Sequence, residues 1–394
     1  MRILILSLTV LLALSAALNS YLYSKVKSLQ TQLTPAQSRA IQPNSNIKKD
    51  MQQHPLIIAA QVAFEERDAQ AALTQLNLIE ANLPEQLDAT QQGWFEEIRL
   101  HLANGTATQQ DDEFVKAFLR AYPYNTYFLY LEIEFAHFKH ISADTLLDLY
   151  QLIRTPMRSD LSAIINARIK EIYQNRTNKL KLVEAWDILS VMLESLVGMA
   201  PDDTNMLLDL AEAYAMQEQF TLMDGVLVYL PEDNERVQKL VSLKQERLSP
   251  PALDDTESMQ EYDTAPAGVP LKRAGSHYIV NATLNNKVTT ALMIDTGAST
   301  SVISRAAFDA IAGQLQPEFI GQYNINTANG LVQAPVYRFE RMNIGGFYVN
   351  DIAVVVMALE HFSADGLLGM NFLRAFRFEI DQANARLILA PFES

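Results

Sequence analysis

The chain has 394 residues, 49% hydrophobic and 20% charged, enough to bury a core in more than one domain. Its formal net charge of -15 argues against a nucleic-acid partner, because phosphate backbones are bound by clustered Lys and Arg, and no such cluster occurs. Without cysteine, the chain has no disulfide, no thiolate metal site and no cysteine nucleophile.

The first segment, residues 1–24, is uncharged from Ile3 to Ser24. As a helix it would reach about 33 Å, enough to cross a hydrocarbon layer of about 30 Å. Ser15-Ala16-Ala17 offers the small residues of a signal cleavage site, which would release a secreted protein cut near Ala17. The apolar run continues, however, to Tyr21 and Tyr23, interfacial aromatics that suit a retained signal anchor. The anchor is the preferred reading: a single-pass transmembrane helix with the membrane as partner and the soluble body outside the cytoplasm. Arg2 on one flank and Lys25 and Lys27 on the other leave the orientation open.

Residues 25–53 are rich in Gln, Ser, Asn and Lys and read as a polar stalk. From 54 to 248, apolar residues recur at three- and four-residue spacing, the pattern of packed helices. Two pieces, Ala59–Pro84 and Leu210–Pro231, share small residues and one aromatic (Phe64, Tyr214) on a first helix, a polar turn, and a second helix closed by Leu-Pro. They resemble degenerate tetratricopeptide-like hairpins, which bury their apolar faces by stacking and offer a surface to a protein partner. The aromatics Tyr122, Tyr124, Tyr127, Phe128 and Tyr130 read either as a peptide groove or as packing between helices. His137 and His140 stand at i and i+3, but without a convincing third ligand they read as a helix face, and no metal site is assigned. Residues 249–272 hold five acids and four prolines before Lys272, an extended, self-repelling linker.

From 273 to 394 the pattern turns to short alternating or apolar runs: "HYIVNATL", "VTTALMID", "TSVIS", "YNINTA", "LVQAPVYRF", "YVNDIAVVVMA", "RFEID" and "ARLILA", separated by Asn and Gly turns. They predict a small all-β domain, a partly closed barrel with a few helical turns. Within it the strand "ALMI" delivers Asp295 to a turn through Thr296 and Gly297. On its own, such an Asp is either a turn cap or a carboxylate presented at a loop tip.

The surroundings favour the second. "LMIDTGASTSVIS" resembles the catalytic loop of the retropepsin-like aspartic proteases, and "DGLLGMNFL" resembles their second signature, with Leu367, Leu368 and Gly369 opening a helix that Asp365 would cap. Between them, "INTANGLVQAPV" resembles the flap, its tip at Thr327, Ala328, Asn329 and Gly330, where Asn329-Gly330 signals a type I′ turn. The likeness covers about residues 276–391 and is closest to a bacterial membrane-associated branch, which implies an inner-membrane anchor with the domains in the periplasm.

The resemblance implies a multidomain α plus all-β protein: a membrane helix, a helical repeat-like domain and a retropepsin-like β-barrel with one lobe per chain. It implies an aspartic endopeptidase without cofactor or metal, active as a homodimer in which Asp295, Thr296 and Gly297 of two chains meet at a two-fold axis. Extended peptides with large apolar residues are the implied substrates. At Ala298, pepsin-like enzymes carry a hydroxyl that stabilises the ionised carboxylate; its loss implies activity nearer neutral pH. Retroviral members pair an acid with a base near the interface where this chain has Ser299 and Met370, which implies a weaker dimer. A non-catalytic membrane-tethered scaffold that binds proteins through its helices is the alternative.

Overall fold

The computed structural model describes residues 54–139, 142–249, 268–359 and 362–392. The expected anchor, the stalk, most of the acidic linker and His140 lie outside the described residues. Among the described residues, no helix is long and apolar enough to cross a membrane.

Residues 54–94 belong to one compact unit and those from Phe95 onward to another. The first holds α1 (Pro55–Glu65), α2 (Ala69–Asn82) and the start of α3 (Pro84–Ala103). Pro55 opens α1, where its missing N–H costs nothing, and the Asp68 carboxylate caps α2 by accepting from the Ala71 amide. Phe64 stacks on Trp94, ring centroids 5.1 Å apart.

The second unit continues with α4 (Gln109–Ala121), α5 (Thr126–Phe138), α6 (Thr145–Leu152), α7 (Ser159–Leu182), α8 (Trp186–Val197), α9 (Thr204–Met216), α10 (Phe220–Leu227) and α11 (Glu235–Leu248). Three helical hairpins, α1–α2, α7–α8 and α9–α10, turn in the same way. Arg67, Glu184 and Glu218 each take positive φ (57°, 52° and 58°), and the next amide donates to the carbonyl of Ala63, Leu180 or Tyr214. This is the Schellman geometry normally built on glycine, here made by charged residues. Tyr127, Phe128 and Tyr130 are buried, and Phe128 stacks on Phe118 at 3.6 Å, so these three pack between helices rather than line a groove; Tyr124 is exposed.

The β domain comprises β1 (Val269–Pro270), β2 (Lys272–Ala274), β3 (His277–Leu284), β4 (Val288–Ile294), β5 (Ser301–Ser304), α12 (Arg305–Leu315), β6 (Glu318–Thr327), β7 (Gly330–Ile344), β8 (Phe347–Met357), β9 (Gly366–Leu368), α13 (Met370–Leu373), β10 (Arg377–Asp381) and β11 (Arg386–Ala390). Strands β1, β11 and β10 form one small sheet. The other eight run in the order β2-β3-β4-β9-β5-β8-β7-β6, and β3 also pairs with β7, closing a circuit of strands. Two pairs, β4–β9 and β5–β8, are parallel within this otherwise antiparallel sheet. Inside lie Val280, Leu292, Phe339, Ile352, Val354 and Leu368, and α12 closes the core with Phe308, Ile311 and Leu315.

Two local expectations are corrected. Of the expected helix opening, only Gly369 holds that place, as the N-cap of α13; Leu367 and Leu368 pair, with Gly366, as a strand with β4 and β5. Asp365 therefore caps nothing; its carboxylate accepts from the Ala291 amide (2.9 Å) and the Thr290 hydroxyl (3.2 Å), bracing β4. The flap turn is not type I′, which needs positive φ at both central residues. Thr327 pairs with Gly330, leaving Ala328 and Asn329 central, and only Gly330 has positive φ (102°).

Candidate active site

Strand β4 is held between β3 and β9, so Leu292, Met293 and Ile294 are all buried and the run is apolar without alternation. The chain leaves the sheet at Asp295, whose amide donates to the Leu368 carbonyl (3.1 Å). The Asp295 carboxylate is half-buried and accepts from the Gly297 amide at 2.9 Å, while Thr296 and Gly297 are exposed. A Cβ at position 297 would lie 3.2 Å from the Asp295 Oδ1, a contact tight enough to press on that oxygen.

The second signature holds this loop from behind. Met370 and Asn371 amides donate to the Ala298 and Ser299 carbonyls at 2.7 and 2.9 Å. The Gly369 amide donates to the Ser301 hydroxyl, which donates to Asn371 Oδ1; that oxygen also accepts from the Ser301 amide, and Asn371 Nδ2 donates to the Ala353 carbonyl. Ser301 and Asn371 are buried and every polar atom named here is satisfied, so the network fixes one loop conformation. Sequence reading missed both residues. Their signal is a polar side chain inside an apolar run, which gains meaning only when the two are seen to meet.

The flap residues Thr327, Ala328, Asn329 and Gly330 form the end of the β6–β7 hairpin. The Thr327 hydroxyl donates to the Gly330 carbonyl and accepts from the Asn329 amide. Among the described residues, no hydrogen bond joins the tip to the Asp295 loop. Behind the tip, Leu331 and Val332 are exposed.

The helical region reaches these same pieces. Asp144 stands at the N-cap of α6 without capping it; its oxygens accept instead from Asn324 and Gln333, cross-strand partners in the flap hairpin, at 2.8 and 2.7 Å. Asp187, in the first turn of α8, accepts from the Thr300 hydroxyl at 2.8 Å. Arg374, just after α13, donates to the Glu184 carbonyl at 3.0 Å.

Burial pushes the Asp187 carboxyl above the usual carboxylate range, an effect only partly offset by the Thr300 hydrogen bond. A carboxyl raised in the folded state favours folding below its unfolded pKa, and that contribution is lost as pH rises through the folded value. Asp187→Asn keeps an acceptor for Thr300 and removes the charge. Its melting temperature is expected to exceed that of the parent at pH 7, by about 2–4 °C for each kcal/mol recovered, with the gap closing toward pH 4. Equal melting curves at both pH values would show that the buried charge carries no such cost.

Residues 280–375 match the family model described as "gag-polyprotein putative aspartyl protease". The chain is similar to a retropepsin-like aspartic protease from Rickettsia conorii, at 25% identity over 31% of this chain and 89% of that one, with a TM-score of 0.24. It is also similar to the retroviral protease-like domain of Ddi1 from Leishmania major, at 16% identity over 30% and 95% of the two chains, with a TM-score of 0.20. No curated protein matches the chain. The family match runs from β3 to the residue pair following α13 and takes in the Asp295 loop, the flap hairpin and the second signature, so the aspartyl-protease likeness falls on the C-terminal region.

Proposed function

We propose that the chain is a membrane-anchored aspartic endopeptidase whose Asp295 works with the Asp295 of a second copy. Two carboxyls about 3 Å apart cannot both ionise, so they share one proton. The ionised partner takes a proton from the attacking water, and the protonated one donates to the carbonyl oxygen of the scissile amide. The observation that carries this reading is a single D-T-G loop, braced from behind by the second signature, with Thr296 and Gly297 left open on the side where a second loop would complete the site. The Gly297 amide donates to Asp295 Oδ1, and Ala298 brings no side-chain hydroxyl to that carboxylate.

In this reading residues 1–24 hold the chain in a bacterial inner membrane with the domains in the periplasm, or release it after cleavage near Ala17. The helical region recruits a protein substrate or partner; the exposed apolar side chains Leu222, Val228 and Tyr229 on and after α10 support such a surface. The scaffold alternative draws on the hydrogen bonds from Asp144 and Asp187, which tie the helices to the flap and the Asp295 loop.

Dilution tests the shared site. A dimer that lacks the interface ion pair at Ser299 and Met370 dissociates readily, so specific activity on an apolar peptide is expected to fall as the chain is diluted and to recover on concentration. Activity per molecule that stays constant while sedimentation reports monomer would end the two-copy reading.

A further inference from the structure

A cavity of about 380 Å³ lies between α5, α7 and β6, its walls including Arg168, Glu171, Arg176 and Lys179. Phe319, Ile320, Gly321 and Gln322 line it as four consecutive residues. Because side chains alternate faces along a strand, a cavity touching four in a row abuts the strand's edge. Strand β6 is the terminal strand of the eight-stranded sheet, paired with β7 alone, and a bulge between Phe319 and Gly321 leaves Ile320 opposite no residue of β7. The cavity thus borders a sheet edge, where main-chain groups can accept another strand.

The charges on the α7 wall are unevenly matched. Arg168 is held by the carboxylates of Glu134 and Glu171. Among the described residues Arg176, 6% exposed, donates only to the main-chain carbonyls of Ala143 and Ser142. The nearby Asp144 carboxylate accepts from the neutral amides of Asn324 and Gln333 and attracts Arg176 through space without a hydrogen bond to it. Lys179, one turn further along α7, meets no carboxylate among the described residues. Burial pulls the Arg176 guanidinium down from its ordinary value, and the attraction of Asp144 offsets this only in part.

We propose that this cavity binds the free C-terminal end of an extended peptide, its carboxylate on Arg176 and Lys179 and its main chain along the edge of β6. The carboxylate matches the Arg fork and supplies the missing charge. Strand addition supplies the main-chain hydrogen bonds. The volume sits at the low end of the range of about 300–1,000 Å³ for ligand pockets, so a short peptide end fits and a folded partner does not. The occupied strand is the one that runs on to the flap tip at Thr327, which would tie the ligand to the hairpin over the candidate site. The binding itself does not depend on whether Asp295 hydrolyses peptides.

Calorimetric titration of the full-length chain with acetyl-Ala-Val-Ala, its C-terminal amide and inorganic phosphate tests the proposal. The acid is expected to bind saturably, and the amide at least about tenfold more weakly, as for loss of one charged hydrogen-bond acceptor. Lys179→Ala should weaken the acid about tenfold, and Arg176→Gln more; should Arg176→Gln fail to fold, Lys179→Glu carries the test from the cavity wall. Equal affinity for acid and amide, absence of saturable binding, or an acid that binds Lys179→Glu as tightly as the parent would each overturn it. Phosphate binding as tight as the acid would also overturn it, because a simple anion pocket needs no strand edge.

Discussion

Asp295→Asn is expected to lower peptide hydrolysis by at least about 10³-fold while leaving the melting curve unchanged. The amide keeps an oxygen for the Gly297 N–H, and the side chain is half-buried on a loop whose order comes from Met370, Asn371 and Ser301, so the fold does not rest on the charge. What is lost is chemical: an amide neither removes a proton from water nor carries the shared proton to the carbonyl oxygen. Mixing gives a sharper result. In an equimolar mixture of parent and variant that exchanges freely, about a quarter of the dimers are fully parental, so activity should fall to about a quarter of that of pure parent at the same total concentration. Activity near a half would mean that each chain works alone. Full activity in the variant would leave the scaffold reading in possession of the domain, and binding through the helices would then be the function to measure.

The β domain was legible where one chemical pattern sufficed. "HYIVNATL" and "RFEID" coincide with β3 and β10, because alternation and flanking turns bound each strand on both sides. The strand that ends at Asp295 was legible as a continuous apolar run, whereas the role expected of Asp295 came from the resemblance of its surroundings to a catalytic loop. Gly366-Leu367-Leu368 was misread, since three apolar residues carry no period and only the pairing with β4 and β5 makes them a strand. The helical hairpins hid their turns for a different reason: Arg67, Glu184 and Glu218 occupy positions where glycine would have signalled the stop. The bonds from Asp144 to the flap and from Asp187 to Thr300 were beyond reach. They join residues more than a hundred positions apart, and an Asp at a helix start reads equally well as a cap.

Gly366 is where the site's geometry is most exposed to a single atom. A Cβ built there would lie 2.0 Å from the Val302 carbonyl oxygen and 2.9 Å from the Ile303 Cα, both main-chain atoms of the paired strand β5. Backbone cannot swing aside as a flexible side chain does, so β9 must move away from β5 as a whole. Because β9 also pairs with β4 and its Leu368 carbonyl accepts the Asp295 amide, that movement passes directly to the loop that carries the carboxylate. Gly366→Ala is therefore expected to cost at least about 3 kcal/mol of stability and to remove activity in whatever folded protein remains. Gly313→Ala provides the contrast: it lies exposed within α12 with nothing within 4 Å of the added atom, and the helix should gain about 0.5–1 kcal/mol. Denaturant melts of both variants separate close strand approach from glycine's conformational freedom. If Gly366→Ala unfolds at the parental denaturant concentration, β9 and β5 can part without cost, and the bracing assigned to the second signature fails with it.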